Sequence, residues 1–111
     1  MQQEIENLKE LIVNDYENWT SRSLSYSDDG RAEQRVAEFA SNLEVKEGQK
    51  YIKIISDRSV WGFIVKTETD KLFKQGDILK PAGWAAPARN AARGNILDGG
   101  YPINWTGPLY L

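Results

Sequence analysis

The chain has 111 residues, of which 27% are charged and 41% hydrophobic, and its formal net charge is −2. These values are typical of one globular domain rather than of a disordered chain or a membrane-spanning one. Cysteine and histidine are both absent, which excludes disulfides, thiolate zinc sites, imidazole bases and histidine-activated nucleophiles.

Charge and aromatic residues are unevenly distributed along the chain. Residues 1–50 carry 11 acidic and 6 basic residues, whereas residues 51–111 carry 5 acidic and 8 basic ones. Most of the aromatic residues also lie in the second part. This division predicts two different surfaces, one acidic and the other basic and aromatic.

The first part, residues 1–45, predicts two helices. Over residues 3–19 apolar residues recur at helical spacing, namely Ile5, Leu8, Leu11, Ile12, Tyr16 and Trp19. A Ser- and Asp-rich loop follows, in which Asp28 or Asp29 can cap the next helix. We expect this second helix over residues 31–43, with an apolar stripe of Ala32, Val36, Phe39, Ala40 and Leu43.

The second part, residues 50–111, predicts strands. Runs rich in β-formers span residues 50–56, 60–66 and 76–80. Residues 101–111 contain two prolines, so they are expected as an edge strand, or as a contact surface for another chain. Helices followed by strands favour a single α+β domain, with two N-terminal helices packed on a small antiparallel sheet of about four strands. The pattern leaves open whether this sheet curls into a barrel.

The stretch KPAGWAAPARNAARGN, residues 80–95, combines small residues, two prolines, a tryptophan and three cations between two apolar runs. A proline at the start, several alanines and a glycine at the end predict a short helix near residues 87–93. On such a helix Arg89 and Arg93 lie four residues apart and share one face.

This stretch predicts a binding site. Arginine binds phosphate through paired N–H donors, and an exposed tryptophan can stack on a base. We therefore expect a site for a nucleotide-like anion or single-stranded nucleic acid, formed by Lys80, Trp84, Arg89, Asn90, Arg93 and Asn95. Trp61 is a second candidate for stacking. The alternative is that both arginines pair internally, with Asp77, Asp98 or a backbone carbonyl, while Trp84 fills the core.

The string KQGDILKPAGWAAPARNAARGNILDG, followed by WTGPLYL, resembles a family of short, uncharacterised tailed-bacteriophage proteins. The shared positions are Gly76, Asp77, Lys80, Trp84, Pro87, Ala88, Arg93, Gly94, Asn95, Gly107, Pro108 and Tyr110. Members of that family often carry histidine where this chain has Asn90. The resemblance covers the C-terminal third well and the helices hardly at all. It implies a phage origin and a setting in the host cytoplasm, without assigning a chemistry.

Two other functions stay open. The acidic helical half could inhibit a host defence or transcription complex, through Glu6, Glu10, Glu17, Asp28 and Asp29. A carboxylate-dependent enzyme is the least favoured, because no nucleophile–base pair accompanies Asp57, Glu68, Asp70, Asp77 or Asp98.

We therefore expect a binding protein that uses no cofactor and no metal. The amphipathic N-terminal helix could also pair with a second copy of the chain. The polar, acidic N-terminus is unlike a signal peptide, and no stretch has the length and apolarity of a membrane span. These features predict a cytosolic protein without membrane contact.

Overall fold

The computed structural model describes residues 1–23 and 31–108, so Asp28, Asp29 and Tyr110 lie outside the described residues. The helices come first, α1 (Gln2–Ser23) and α2 (Arg31–Ser41). One open antiparallel sheet follows, in the strand order β1 (Leu43–Glu47), β2 (Tyr51–Ser56), β3 (Ser59–Val65), β4 (Ile78–Leu79). A separate hairpin consists of β5 (Ile103–Asn104) and β6 (Gly107–Pro108). The predicted α+β fold is confirmed, and the four-stranded sheet does not close into a barrel.

The first strand of the sheet, β1, lies between the predicted second helix and the first predicted strand, in a stretch for which the β-forming pattern gives no signal. The charged run at residues 44–50 contains a turn at Gly48, whose N–H donates to the carbonyl oxygen of Tyr51 at 2.9 Å. Before that turn, β1 pairs with β2 in the register that places Lys46 opposite Lys53. An edge strand needs apolar residues on one face only, so charges at alternate positions are compatible with it.

The C-terminal segment does not supply the fourth strand of the sheet. Within its described part, residues 103–104 pair with residues 107–108, while β4 takes the place beside β3. A side-chain contact ties this hairpin to the first helix, because the backbone N–H of Trp105 donates to Asp15 Oδ2 at 2.8 Å. Two-residue strands of this kind are too short to give a clear periodic signal in the sequence.

Helix α1 covers one face of the sheet. Its buried side chains, Ile5, Leu8 and Ile12, belong to one cluster with the sheet residues Ile52, Ile54, Ile64 and Ile78. The helix extends to Ser23, beyond the predicted end at residue 19, and Leu11 of the predicted apolar stripe is exposed. Within the described part of the chain, neither helix has the length and apolarity needed to cross a bilayer.

The opposite face of the sheet is covered by loops. Phe63, Val65 and Leu79 form a second cluster there with Phe73, and Ala92 packs against it. Strand β3 has a bulge near its start. Ile54 of β2 pairs with Gly62 and Ile55 pairs with Val60, so Trp61 has no partner residue on β2. Trp61 is thereby included in the cluster on the helix side.

Residues 80–95 contain no helix, so the helix predicted near residues 87–93 is absent. The segment begins with an irregular hairpin, residues 80–88, closed by a Pro81–Pro87 bridge and by the Ala88 N–H, which donates to the Lys80 carbonyl at 2.7 Å. The chain then returns alongside β4, where Arg93 N–H donates to the Ile78 carbonyl at 2.7 Å. Pairing with the sheet satisfies backbone groups that an isolated helix of two turns leaves exposed, so it overrides the alanine propensity.

Candidate functional site

Three of the six predicted ligand residues lie together in one cleft. Lys80, Asn90 and Arg93 line a depression of about 410 Å³, which we call the Lys80–Arg93 cleft. Its other walls come from the sheet, from the stem of the 80–88 hairpin and from the β5–β6 turn, with Val60, Pro81, Ala88, Thr106 and Pro108 among them. The cleft combines two cations, an amide and a hydroxyl, which is suitable chemistry for a phosphate group.

Local contacts orient the polar side chains of the cleft. Arg93 Nε donates to the Ala91 carbonyl oxygen at 3.1 Å, and Arg93 Nη2 donates to Asn90 Oδ1 at 3.4 Å. The backbone N–H of Ala91 donates to the same Asn90 oxygen at 2.9 Å. Because these bonds occupy the Asn90 carbonyl, its amide NH₂ is the group that can donate to an anion.

Arg89 lies outside this cleft and is paired within the chain. Its Nη2 and Nη1 donate to the two carboxylate oxygens of Asp70 at 2.8 and 3.0 Å, and Nη1 also donates to the Tyr51 hydroxyl. The guanidinium carbon lies 5.0 Å from the ring centroid of Phe73. Bonds from Arg89 and from the Leu72 amide hold the pKa of Asp70 well below its usual range. These contacts give Arg89 a structural role, although the acid is neither Asp77 nor Asp98.

Asn95 is also used inside the protein. Its Nδ2 donates to the Gln75 carbonyl and to Asp77 Oδ1, each at 2.9 Å. Its Oδ1 accepts from the backbone N–H groups of Leu97 and Asp98 at 2.8 and 3.1 Å. These four bonds satisfy both donors and both lone pairs of the carboxamide. The buried Asn95 side chain therefore has no capacity left for a ligand, and we leave it out of the proposed site.

The two candidate stacking rings have opposite environments. Trp61 is 1% exposed, and its Nε1 donates to the Asn104 carbonyl oxygen at 2.9 Å. Its ring faces therefore cannot receive a base. Trp84, at the tip of the 80–88 hairpin, is 54% exposed, so it does not fill the core. The Lys53 ammonium lies 4.5 Å from the Trp84 ring centroid.

Two further residues near these groups, Thr106 and Lys53, were not predicted from the sequence. Thr106 reaches the cleft from a turn distant in the chain, and no local pattern signals this. Lys53 could have been found, because alternation along YIKII places it on the same strand face as Tyr51. On the acidic half, Glu6, Glu10 and Glu17 are exposed on α1.

The match to known families extends over both the helices and the sheet. A model of a family of unknown function, DUF7717, matches residues 1–110. A search of curated proteins and a search of solved structures each found no match. The family match includes α1 and α2 as well as the C-terminal string on which the sequence resemblance depends. The chain therefore belongs to DUF7717, a family of unknown function.

Proposed function

We propose that this protein binds nucleotide-like anions and that the Lys80–Arg93 cleft receives a phosphate group. One observation supports this proposal most directly: Lys80, Asn90 and Arg93, separated in the chain, line the same depression of about 410 Å³. Small-molecule sites commonly have volumes of roughly 300–1,000 Å³ with a few convergent polar groups.

In this proposal each polar group of the cleft has a separate task. Arg93 and Lys80 bring two positive charges to the wall of the cleft, and a guanidinium has five N–H donors, of which those beyond the bonds to Ala91 and Asn90 can donate to phosphate oxygens. The Asn90 NH₂ and the Thr106 hydroxyl supply further donors from opposite parts of the wall. We propose binding rather than a reaction, because these groups contain no nucleophile with a neighbouring base.

The biological setting of the proposal rests on the sequence resemblance of the C-terminal third. In this setting a phage encodes the protein, which acts in the cytoplasm of the infected cell as a small binding module. The alternative, inhibition of a host protein through the acidic face of α1, becomes one outcome of the experiment below.

Thymidine 5′-monophosphate, titrated into the purified protein by isothermal calorimetry at low salt, tests the cleft. We expect Arg93→Ala and Lys80→Ala each to weaken binding by about tenfold or more, since each removes a charge-assisted contact. Lys74→Ala is the matched control, because Lys74 is highly exposed, lies outside the cleft and forms a surface ion pair with exposed Asp98, at 3.8 Å. Thermal melting checks that the variants fold.

Absence of binding, or equal weakening by Lys74→Ala, would reject the cleft as a phosphate site. If the protein then associates with a host protein, and reversing the charges of Glu10 and Glu17 abolishes this association, the acidic-helix alternative replaces it. Both residues are exposed on α1, so the reversal leaves the core unchanged.

A further inference from the structure

We propose, on the basis of the function proposed above, that the ligand is single-stranded nucleic acid and that Lys46, Lys53 and Trp84 form a second subsite for it. We call this the Lys53–Trp84 subsite. It lies on the loop-covered face of the sheet, beside the tip of the 80–88 hairpin. A mononucleotide would occupy the Lys80–Arg93 cleft, and a longer strand would occupy both.

The first observation is a pair of like charges directly across two strands. Lys46 of β1 and Lys53 of β2 are register partners, so their side chains share one face with Cβ atoms roughly 5 Å apart. Two positive charges in this position disfavour the folded sheet. A negatively charged ligand bound over this pair would offset the repulsion between the two ammonium groups.

The acids near this pair do not neutralise it. Glu47 pairs with Lys66 instead, at 3.1 Å between Nζ and Oε1. Among the residues that the structure describes, Lys46 and Lys53 have no carboxylate within ion-pair distance. Glu44 occupies the next same-face position along β1, opposite Ile55. Within the described part of the chain, the two ammonium groups on this face are therefore not neutralised by a carboxylate.

The second observation is an exposed aromatic ring at the same place. Lys53 Nζ lies 4.5 Å from the Trp84 centroid and 5.9 Å from the Phe63 centroid. Trp84 is largely exposed, and its neighbours at the hairpin tip, Gly83 and Ala85, are small. An indole held beside an ammonium gives a base a stacking surface and its phosphate a counter-charge, which is the pattern of single-strand binding grooves.

The third observation connects this face with the cleft. Lys46, Lys50 and Lys53 line a depression of about 260 Å³, together with Ala85 of the hairpin tip and with Glu47, which pairs with Lys66. The stem of the same hairpin, at Pro81 and Ala88, lines the Lys80–Arg93 cleft. The 80–88 hairpin thus borders two cationic depressions and carries the exposed ring, so a strand lying along it can contact all three. Duplex nucleic acid is a poorer fit, because its stacked bases are not accessible to the ring.

The test uses a fluorescein-labelled oligothymidylate of about eight nucleotides, a length within the usual range for single-strand sites. The dissociation constant of the oligothymidylate, measured by fluorescence anisotropy, should be lower than that of thymidine monophosphate, measured by calorimetry. Trp84→Ala should weaken oligonucleotide binding about tenfold and Trp84→Phe much less, since a phenyl ring still stacks. Neither change should alter monophosphate binding in the cleft.

Lys46→Gln separates a binding role from a structural one. Removal of one charge relieves the repulsion with Lys53, so the melting temperature should rise slightly. Oligonucleotide binding should nevertheless weaken several-fold, and the slope of log K against log salt should fall by about 0.7. Lys74→Ala serves again as the control. If Lys46 had only a structural role, Lys46→Gln would not raise the melting temperature and weaken oligonucleotide binding at the same time.

The outcomes distinguish this inference from the proposed function. If monophosphate binds but the oligonucleotide binds no tighter, or if Trp84→Ala and Lys46→Gln leave oligonucleotide binding unchanged, the second subsite is rejected and the cleft is retained. If the oligonucleotide binds and responds to both changes while monophosphate does not bind, the subsite is retained and the cleft is rejected. Failure of both ligands to bind rejects both proposals.

Discussion

Arg89 holds Asp70 through two parallel hydrogen bonds, 2.8 Å from Nη2 to Oδ1 and 3.0 Å from Nη1 to Oδ2. The backbone N–H groups of Leu72 and Phe73 donate to the same carboxylate at 2.9 and 3.1 Å. One carboxylate thereby joins the loop after β3 to the segment after the 80–88 hairpin. Phe73, which covers the sheet beside Phe63 and Val65, is positioned by the same contacts.

Asp70 should make the stability of the protein depend on pH at the acidic end. Its pKa in the folded protein lies well below its ordinary value of 3.8, so its contribution is present above pH 3.8 and is lost as the pH falls toward the folded-state pKa. We expect Asp70→Asn to lower the free energy of unfolding at neutral pH and to flatten its decline between about pH 5 and pH 2.

Urea denaturation at several pH values measures this effect. Asp98→Asn is the matched control, because Asp98 is exposed and its ion pair with Lys74, at 3.8 Å, is a surface contact. Parallel pH profiles of the wild type and Asp70→Asn would show that the Arg89 pair does not contribute to stability.

Asn95 should be important for folding rather than for binding. Its carboxamide connects the Gln75 carbonyl, the Asp77 carboxylate and two backbone N–H groups in a buried position. Asn95→Ala leaves these groups without partners, and we expect a loss of about 2 kcal/mol in the free energy of unfolding. Asn90→Ala, at an exposed position five residues earlier, should change it by less than about 0.5 kcal/mol. Chemical denaturation of both variants provides the comparison, and equal losses would contradict the structural role.

Gly94 is required by close packing as well as by backbone conformation. Its φ angle is 156°, and a Cβ built at this position would lie 2.5 Å from Tyr101 Cβ. Because the obstacle is the first atom of the tyrosine side chain, a rotamer change cannot relieve it. We expect Gly94→Ala to lower the free energy of unfolding by about 1–3 kcal/mol.

Gly83 provides the internal comparison for this effect. It lies in the exposed tip of the 80–88 hairpin, where an added Cβ meets nothing within 4 Å. Gly83→Ala should therefore be close to neutral, within about 0.5 kcal/mol. A melting temperature for Gly94→Ala as high as that for Gly83→Ala would mean that the chain returns along β4 differently from the described pairing.

The sequence predicts the parts of this fold that have a long, regular pattern. Helices α1 and α2 and strands β2 and β3 all have such patterns, and they are found close to where periodicity places them. The 80–95 segment is different, because its conformation is set by two hydrogen bonds with Ile78 across the sheet edge, from the Arg93 N–H to the Ile78 carbonyl and from the Ile78 N–H to the Gly94 carbonyl. No window of local sequence contains these partners together, so its alanines predict a helix.

In the candidate site, too, some features can be predicted from local sequence and others depend on partners distant in the chain. Local chemistry identifies the cations, but it cannot tell which of them meets an acid elsewhere in the chain. Arg89 and Arg93 are equivalent in the sequence pattern, yet only Arg89 lies beside Asp70, an acid that appears in the sequence as one polar residue of a loop. Lys46 has no periodic signal of its own, since its place opposite Lys53 depends on the pairing of β1 with β2.

Helix α1 illustrates how much a periodic pattern leaves undecided, and it leads to a fourth prediction. Leu8 and Leu11 both belong to the predicted apolar stripe, but Leu8 is fully buried whereas Leu11 is 43% exposed. Leu8→Ala should lower the free energy of unfolding by about 3 kcal/mol, because it opens a cavity between the helix and the sheet. Leu11→Ala should lower it by less than about 1 kcal/mol, because most of the lost surface faces water. Urea denaturation of the two variants compares them directly, and a larger effect at Leu11 would mean that α1 is rotated about its axis relative to the sheet.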